Sequence, residues 1–172
     1  IKILCVARLS EQKGIKYLLR SLKNINSNSY KLFIIGEGEL LEELQKIVLE
    51  NDLDKKVEFL GYKNNVHEYI KKCDFMVLPS LWEGFPLTPI ECFMNKKTIV
   101  ATNIPGTNEI VNGNNGILVE AKNPEELSDA INYLLENPQE ITTKSEIAFQ
   151  TYIESFSYDV FLNSYRELYN KV

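Results

Sequence analysis

Short, unbroken apolar runs alternate along this chain with longer segments in which apolar residues recur at helical spacing. The runs read as strands over Ile1–Ala7, Lys31–Gly36, Val57–Leu60, Phe75–Pro79, Thr98–Ala101 and Ile117–Val119. Most are continuous rather than alternating, which implies burial on both faces, as in a parallel sheet covered by helices on two sides. Between them, Gly14–Asn24 carries Ile15, Leu18, Leu19 and Leu22 on one helical face, and Leu40–Asn51 repeats Leu41, Leu44, Ile47 and Val48 in the same way. Val66–Lys72 is a short helix, and Pro86–Asn95 opens on a proline suited to a first helical turn. Asn123-Pro124-Glu125-Glu126 combines an N-cap, a proline and acids against the helix dipole, and predicts a helix to about Glu136. Helices over Gln139–Ser155 and Tyr158–Tyr169 close the chain. With no repeat, low-complexity tract or linker, residues 1–172 read as one α/β domain.

Strand–helix alternation with right-handed crossovers predicts a Rossmann-like, doubly wound parallel six-stranded sheet with helices on both faces. With strand order 3-2-1-4-5-6 the winding reverses between the first and fourth strands, and ligands bind there, outside the carboxyl ends of the strands. Chemistry is therefore expected just after Ala7 and just after Pro79.

After the first strand, G-x-G-x-x-G is absent. In its place Arg8 and Lys13 stand five residues apart in Arg8-Leu9-Ser10-Glu11-Gln12-Lys13-Gly14, beside a helix start. Two long cations there suit a pyrophosphate. The spacing alone fits two solvated surface charges equally well. Gly36-Glu37-Gly38-Glu39, after the second strand, reads as a turn or as a nucleotide loop. More specific is Ser80-Leu81-Trp82-Glu83-Gly84-Phe85-Pro86-Leu87-Thr88-Pro89-Ile90-Glu91 after the fourth strand. Glu83 falls in the loop, Glu91 in the second turn of the helix, and the backbone N–H groups around Phe85 to Thr88 point into the same crevice. Acid, amides, acid is an arrangement for a ligand with hydroxyls at both ends and a phosphate between, since a carboxylate accepts paired hydrogen bonds from a diol. The bland alternative is a surface glutamate and a helix-capping one.

Composition excludes several classes. The chain carries 19 basic and 24 acidic side chains, a net charge of −5. That argues against a nucleic-acid partner, whose affinity would come from neutralising phosphates. No apolar run approaches the roughly 18–20 residues of a membrane span. Cys5, Cys73 and Cys92 are widely spaced in apolar stretches and read as buried free thiols rather than metal ligands. The lone histidine, His67, is assigned no role.

The Glu83–Glu91 segment is an E-x7-E arrangement that resembles the donor-site motif of retaining GT-B-fold glycosyltransferases, the glycosyl transferases group 1 family (family 4). The resemblance runs over nearly the whole chain: Val6-Ala7-Arg8-Leu9 with Lys13-Gly14, Ile35-Gly36-Glu37-Gly38, Phe59-Leu60-Gly61-Tyr62 and Cys73-Asp74-Phe75-Met76-Val77-Leu78-Pro79-Ser80. It continues through Pro105-Gly106, Glu109-Ile110-Val111, Asn112-Gly113, Gly116-Ile117-Leu118-Val119 and Phe156-Ser157-Tyr158. The resemblance implies that Arg8 and Lys13 bind the diphosphate and stabilise the departing nucleoside diphosphate, and that Glu83 contacts donor-sugar hydroxyls. It implies that Glu91 holds the ribose, and that Gly84, Phe85, Pro86, Leu87 and Thr88 surround sugar and phosphates. Gly36 belongs to the same site, and the loop from Lys63 to Val66, with Asn65 and Val66, meets the base. Two departures stand out. Glu91-Cys92-Phe93-Met94-Asn95-Lys96-Lys97 lacks the small residues and glycine usual after the second glutamate, and Pro86 occupies a place where glycine is also common.

The activity so implied is metal-independent, retaining transfer of a sugar from a UDP- or GDP-sugar to an acceptor hydroxyl. Leaving-group charge would be met by fixed cations and a helix N-terminus; one such donor is worth ~2.7–4 kcal/mol by oxyanion-hole precedent. No D-x-D-like metal site and no cofactor are expected. Ile1-Lys2-Ile3-Leu4 reads as the start of a strand, so the chain is expected to be the C-terminal, nucleotide-sugar-binding half. The missing N-terminal domain would then supply acceptor binding for a glycan or lipid-linked sugar. Apolar surface on the cleft face and the final helix would meet that half. A Lys-, Asn- and Ile-heavy composition points to an AT-rich bacterial genome. Family analogy points to capsule, lipopolysaccharide or other surface-polysaccharide synthesis. The expected place is the cytoplasm, with peripheral association at the inner membrane face through a lipid-linked acceptor or the missing half. The competing readings are a glycoside hydrolase using Glu83 and Glu91, a GT-B-fold sugar-nucleotide epimerase, and a non-catalytic nucleotide-sugar-binding module.

Overall fold

The computed structural model describes residues 1–170. Its strands are β1 (Lys2–Val6), β2 (Lys31–Ile35), β3 (Val57–Gly61), β4 (Phe75–Leu78), β5 (Thr98–Thr102) and β6 (Gly116–Val119). They form one parallel sheet in the order β3-β2-β1-β4-β5-β6, the doubly wound order expected. The continuous apolar runs are explained by two cores, one on each face, because successive strand side chains point to opposite sides. Ile3, Cys5, Phe75, Val77 and Val100 enter one core, while Leu4, Met76, Leu78, Ile99 and Ala101 enter the other. Every one of these is at least nine-tenths buried. An alternating strand would have left one core without its floor.

The first core is closed by α1 (Ile15–Ser21), α2 (Leu41–Glu50) and α5 (Pro124–Glu136), through Leu18, Leu19, Leu44, Val48, Leu127 and Ile131. The second is closed by α3 (Val66–Lys72), α4 (Leu87–Met94) and α6 (Pro138–Thr151), through Ile70, Cys92, Phe93 and Ala148. Burying a side chain such as Phe93 contributes on the order of 1.5–3 kcal/mol. The start signal of α5 works as read: Asn123 Oδ1 accepts the Glu126 N–H at 3.2 Å, and Asn123 Nδ2 donates back to Glu126 Oε1 at 2.7 Å.

Three helix ends differ from the sequence reading. The segment expected as Gly14–Asn24 is α1 followed by a 3-10 turn, Leu22–Asn24, and a further 3-10 turn, Glu11–Lys13, precedes it. The segment expected as Gln139–Ser155 is α6 followed by a π turn, Tyr152–Phe156. There Thr151 Oγ1 donates to the Ile147 carbonyl at 2.9 Å, competing with the regular ladder. Pro86 is not in the first helical turn but at the N-cap, in extended conformation (φ −74°, ψ 128°). The helix after Glu91 ends without glycine all the same. Lys96 takes φ 55°, and the Lys96 and Lys97 N–H groups close on the Phe93 and Cys92 carbonyls, a Schellman arrangement with lysine where glycine is usual. The last helix, α7 (Tyr158–Tyr169), packs against the π turn.

Candidate active site at the sheet switch point

β1 and β4 are neighbours, paired at Ile3↔Phe75 and Leu4↔Met76, and the loops that leave their carboxyl ends meet. The Leu81 N–H donates to the Gln12 carbonyl at 2.7 Å, joining the loop after β1 to the loop after β4. Gly14 permits this closeness: at φ 60° it lies against the Pro79 carbonyl, where a Cβ would collide. Gly36 does the same for β2, with a φ of 140° and the Ala7 carbonyl where a Cβ would sit. So Gly36 is held at the crevice by backbone packing.

Lys13 and Glu83 form an ion pair, Nζ to Oε1, at 2.6 Å. The Glu83 side chain keeps only 6% of its exposure and Lys13 20%, so this pair is partly desolvated. Ser80 Oγ donates to the same carboxylate oxygen at 2.7 Å, and Gln12 Nε2 reaches the other at 3.4 Å. Ser80 is itself anchored by Thr102 of β5, whose hydroxyl donates to the Ser80 carbonyl at 2.5 Å. Arg8 is different: its side chain is 73% exposed and its guanidinium touches Glu39 Oε2 at 3.5 Å, a loose surface contact. Thus one cation of the loop is engaged inside the crevice and the other stands at its mouth.

Glu91 lies half-buried in the second turn of α4, as the sequence implies. Among the described residues its carboxylate has no hydrogen-bond or ion-pair partner. Its carbonyl accepts from Asn95 Nδ2 at 2.8 Å. At the start of α4, Pro86 and Pro89 carry no N–H, so the free backbone donors narrow to Phe85, Leu87 and Thr88. Gly84 is exposed, and its carbonyl packs against Gly106 of the loop after β5. Trp82, Phe85 and Leu87 are each more than half exposed at the same end of the sheet. The Phe85 ring lies 6.4 Å from that of Phe156 in the π turn. Asn65 is the exposed N-cap of α3, and Val66 begins that helix, half-buried against the second core. The backbone N–H of Tyr62 and the Glu37 carboxylate, 3.4 Å apart, tie the loops after β3 and β2.

The residues that sequence reasoning gave no role are Gln12 and Ser80. Ser80 follows a buried strand directly and precedes Glu83 by three, which is the only local signal of its contact. The cysteines are all buried and free, and burial pushes the Cys5 and Cys73 thiols up to about 12. Among the described residues no group of three or more His, Cys, Asp or Glu is placed to hold a metal ion. Nor is any helix among them long and apolar enough to cross a membrane. A hollow of about 270 Å³ lies between α3 and β1–β3, floored by Leu4, Phe33 and Leu60. Its walls are mainly apolar, and it includes Lys2 at the amino end of β1, away from the switch point at the carboxyl ends of the strands.

A six-stranded parallel sheet in Rossmann-like order, with the Lys13–Glu83 ion pair seated between the loops at its switch point, is the architecture of a GT-B-type glycosyltransferase domain. The chain belongs to the glycosyl transferases group 1 family, whose pattern its residues 1–151 match. It is 33% identical to an uncharacterized glycosyltransferase of Methanocaldococcus jannaschii, over 98% of this chain and 48% of that protein. It is 34% identical to the N-acetylgalactosamine-N,N'-diacetylbacillosaminyl-diphospho-undecaprenol 4-alpha-N-acetylgalactosaminyltransferase of Campylobacter jejuni, over 78% of this chain and 37% of that one. In fold it is similar to Anabaena HepE, solved in complex with UDP, with a TM-score of 0.94 at 23% identity over 99% of this chain and 49% of that chain. The chain thus spans about half the length of these relatives or less.

Proposed function

We propose that this chain is the donor-binding half of a retaining, metal-independent glycosyltransferase that moves a sugar from a UDP- or GDP-sugar to an acceptor hydroxyl. The observation that carries the reading is the Lys13–Glu83 pair at the switch point, with Arg8 at the mouth of the same crevice and Glu91 on the adjoining helix, in a member of this family. In this reading Arg8 and Lys13 bind the diphosphate, and the N–H groups of Phe85, Leu87 and Thr88 add donors at the start of α4. Gly36 leaves the backbone close to the phosphates. The Glu91 carboxylate accepts the ribose hydroxyls, Glu83 a sugar hydroxyl, and Asn65 and Val66 border the base. The bond from the sugar C1 to the diphosphate oxygen breaks with its electron pair on the leaving group. Cations and amides fixed beforehand lower that barrier without reorganising. The acceptor oxygen then bonds to C1 on the face the diphosphate leaves and passes its proton to the departing diphosphate oxygen. No cofactor enters the scheme; the donor is the nucleotide-sugar itself.

The other half of the cleft is proposed to come from an N-terminal acceptor domain. Support comes from the relatives' length and from apolar surface on α7. Tyr158, Phe161, Tyr165, Leu168 and Tyr169 are each at least half exposed, with the tilted rings of Phe161, Tyr165 and Tyr169 following one another along the helix at 4.9 and 6.1 Å. The Campylobacter relative's name describes a sugar carried on diphospho-undecaprenol. A lipid-linked acceptor in surface-polysaccharide synthesis, met at the cytoplasmic membrane face, is the corresponding proposal here. Family membership favours transfer over the hydrolase reading.

Calorimetric titration with UDP, GDP and CDP, on the natural protein and on Arg8→Ala and Glu91→Ala, tests the donor site. One diphosphate should bind, and each variant should weaken it about tenfold or more, the loss of one charge-assisted hydrogen bond. Binding that both variants leave unchanged would refute the assignment. Sugar transfer to a lipid-linked acceptor, against release of an epimerised donor, separates transferase from epimerase.

A further inference from the structure

Glu83 is held from both sides of the switch point. Its Oε1 accepts from Lys13 Nζ at 2.6 Å and from Ser80 Oγ at 2.7 Å, and its Oε2 accepts from Gln12 Nε2 at 3.4 Å. A carboxylate offers about four lone-pair directions. Three are used, so one direction, on Oε2, is left for a ligand hydroxyl. Gln12 makes two more bonds in the same place. Its side-chain amide donates to the Trp82 carbonyl at 2.9 Å, and its backbone carbonyl accepts the Leu81 N–H at 2.7 Å. One residue of the β1 loop is therefore stitched to three consecutive residues of the β4 loop. Ser80 holds the opposite edge of the carboxylate and is completely buried, with its backbone fixed to β5 through Thr102.

We propose that Gln12 and Ser80 are a positioning pair that fixes the Glu83 carboxylate toward one hydroxyl of the donor sugar, and so sets sugar selectivity without touching the sugar. This rests on the reading of Glu83 as the sugar-facing acid. The pair matters most when the donor is bound. Lys13 is the only charged donor on Glu83 among the described residues, and the diphosphate competes for it. When the ammonium turns to phosphate, Glu83 keeps its direction only if Ser80 and Gln12 hold it. Without them the carboxylate would follow Lys13 or rotate into the vacated space, and the open lone pair would no longer face a fixed point.

The test compares Gln12→Met, which keeps the length and removes the amide, with Ser80→Ala, each also in a Glu83→Ala background. The natural full-length protein is titrated with UDP and GDP and with a panel of their sugar conjugates (UDP-glucose, UDP-galactose, UDP-N-acetylglucosamine, UDP-N-acetylgalactosamine, GDP-mannose). Thermal melts check folding. Each single variant should lose about five- to tenfold in affinity for the preferred sugar nucleotide, while the free diphosphate stays within twofold. The discrimination between sugars should narrow, and the loss should vanish once Glu83 is alanine. An equal loss for diphosphate and sugar nucleotide, no loss, or a loss that persists without Glu83 would overturn the proposal while leaving the donor site standing. A wild-type protein that binds none of the probes would overturn the donor-site reading and this inference with it.

Discussion

The Lys13–Glu83 pair gives the sharpest prediction about stability, through the cycle of Lys13→Met, Glu83→Gln and the double variant. Breaking a buried pair by removing one member costs about 3–5 kcal/mol when the other is left uncompensated. Here the cost should be smaller. Methionine keeps the stem of Lys13 packed, and the remaining Glu83 carboxylate, 6% exposed, retains Ser80 at 2.7 Å and Gln12 at 3.4 Å. About 2 kcal/mol is therefore expected for Lys13→Met. At roughly 2–4 °C per kcal/mol for a domain of this size, that lowers the Tm by about 4–8 °C. Glu83→Gln should cost about 1–2 kcal/mol, since an ammonium 20% exposed recovers part of its hydration. The double variant should fall short of the sum by about 1–2 kcal/mol, because both single changes remove the same contact. Urea unfolding followed by circular dichroism, at low salt and in 0.5 M NaCl, measures all four proteins. Screening acts weakly on a partly buried pair, so the coupling should survive the added salt. Additive single effects, or a Lys13→Met change below about 0.5 kcal/mol, would refute the reading of this contact as a partly desolvated, stabilising ion pair.

Arg8→Ala should leave stability within about 0.5 kcal/mol, since its side chain is 73% exposed, yet weaken diphosphate binding more at low salt than at high; an unfolding curve and a salt series check both. Gly36→Ala should lose more than about 2 kcal/mol, as a Cβ would collide with the Ala7 carbonyl at a φ of 140°; its melting curve decides. Native Cys5 and Cys73 should resist iodoacetamide at pH 8 and label only on unfolding, because burial keeps both thiols neutral up to about 12. The sign of the linkage follows. A thiol raised from 9.0 is protonated in both states below that value, so its contribution to stability is intact there and is lost as pH rises from about 9 towards 12. Urea midpoints between pH 7 and 10.5 should fall only above about pH 9.

Local patterning encodes the frame and the position of the switch point. Unbroken apolar runs such as Phe75–Leu78 encode burial on two faces, and the alternation of strand and helix then leaves few topologies. The switch point after Ala7 and Pro79 was legible because it depends only on strand order, and the N-cap at Asn123 because capping is local chemistry. Helix ends were less legible. The π turn at Tyr152–Phe156, the N-cap place of Pro86 and the left-handed Lys96 each balance a local preference against packing on neighbouring elements. Which partner each charged side chain takes is set by the packing of distant loops. Arg8 and Lys13 look alike in sequence, yet one reaches solvent and Glu39 while the other is drawn onto Glu83, 70 positions away. Gln12 and Ser80 carried no signal strong enough to assign them. Their contacts exist because β1 and β4 lie side by side and their loops cross within hydrogen-bond reach. Periodicity records which face of an element is dry, but it holds no information on which side chains two distant loops will bring within three ångströms of each other.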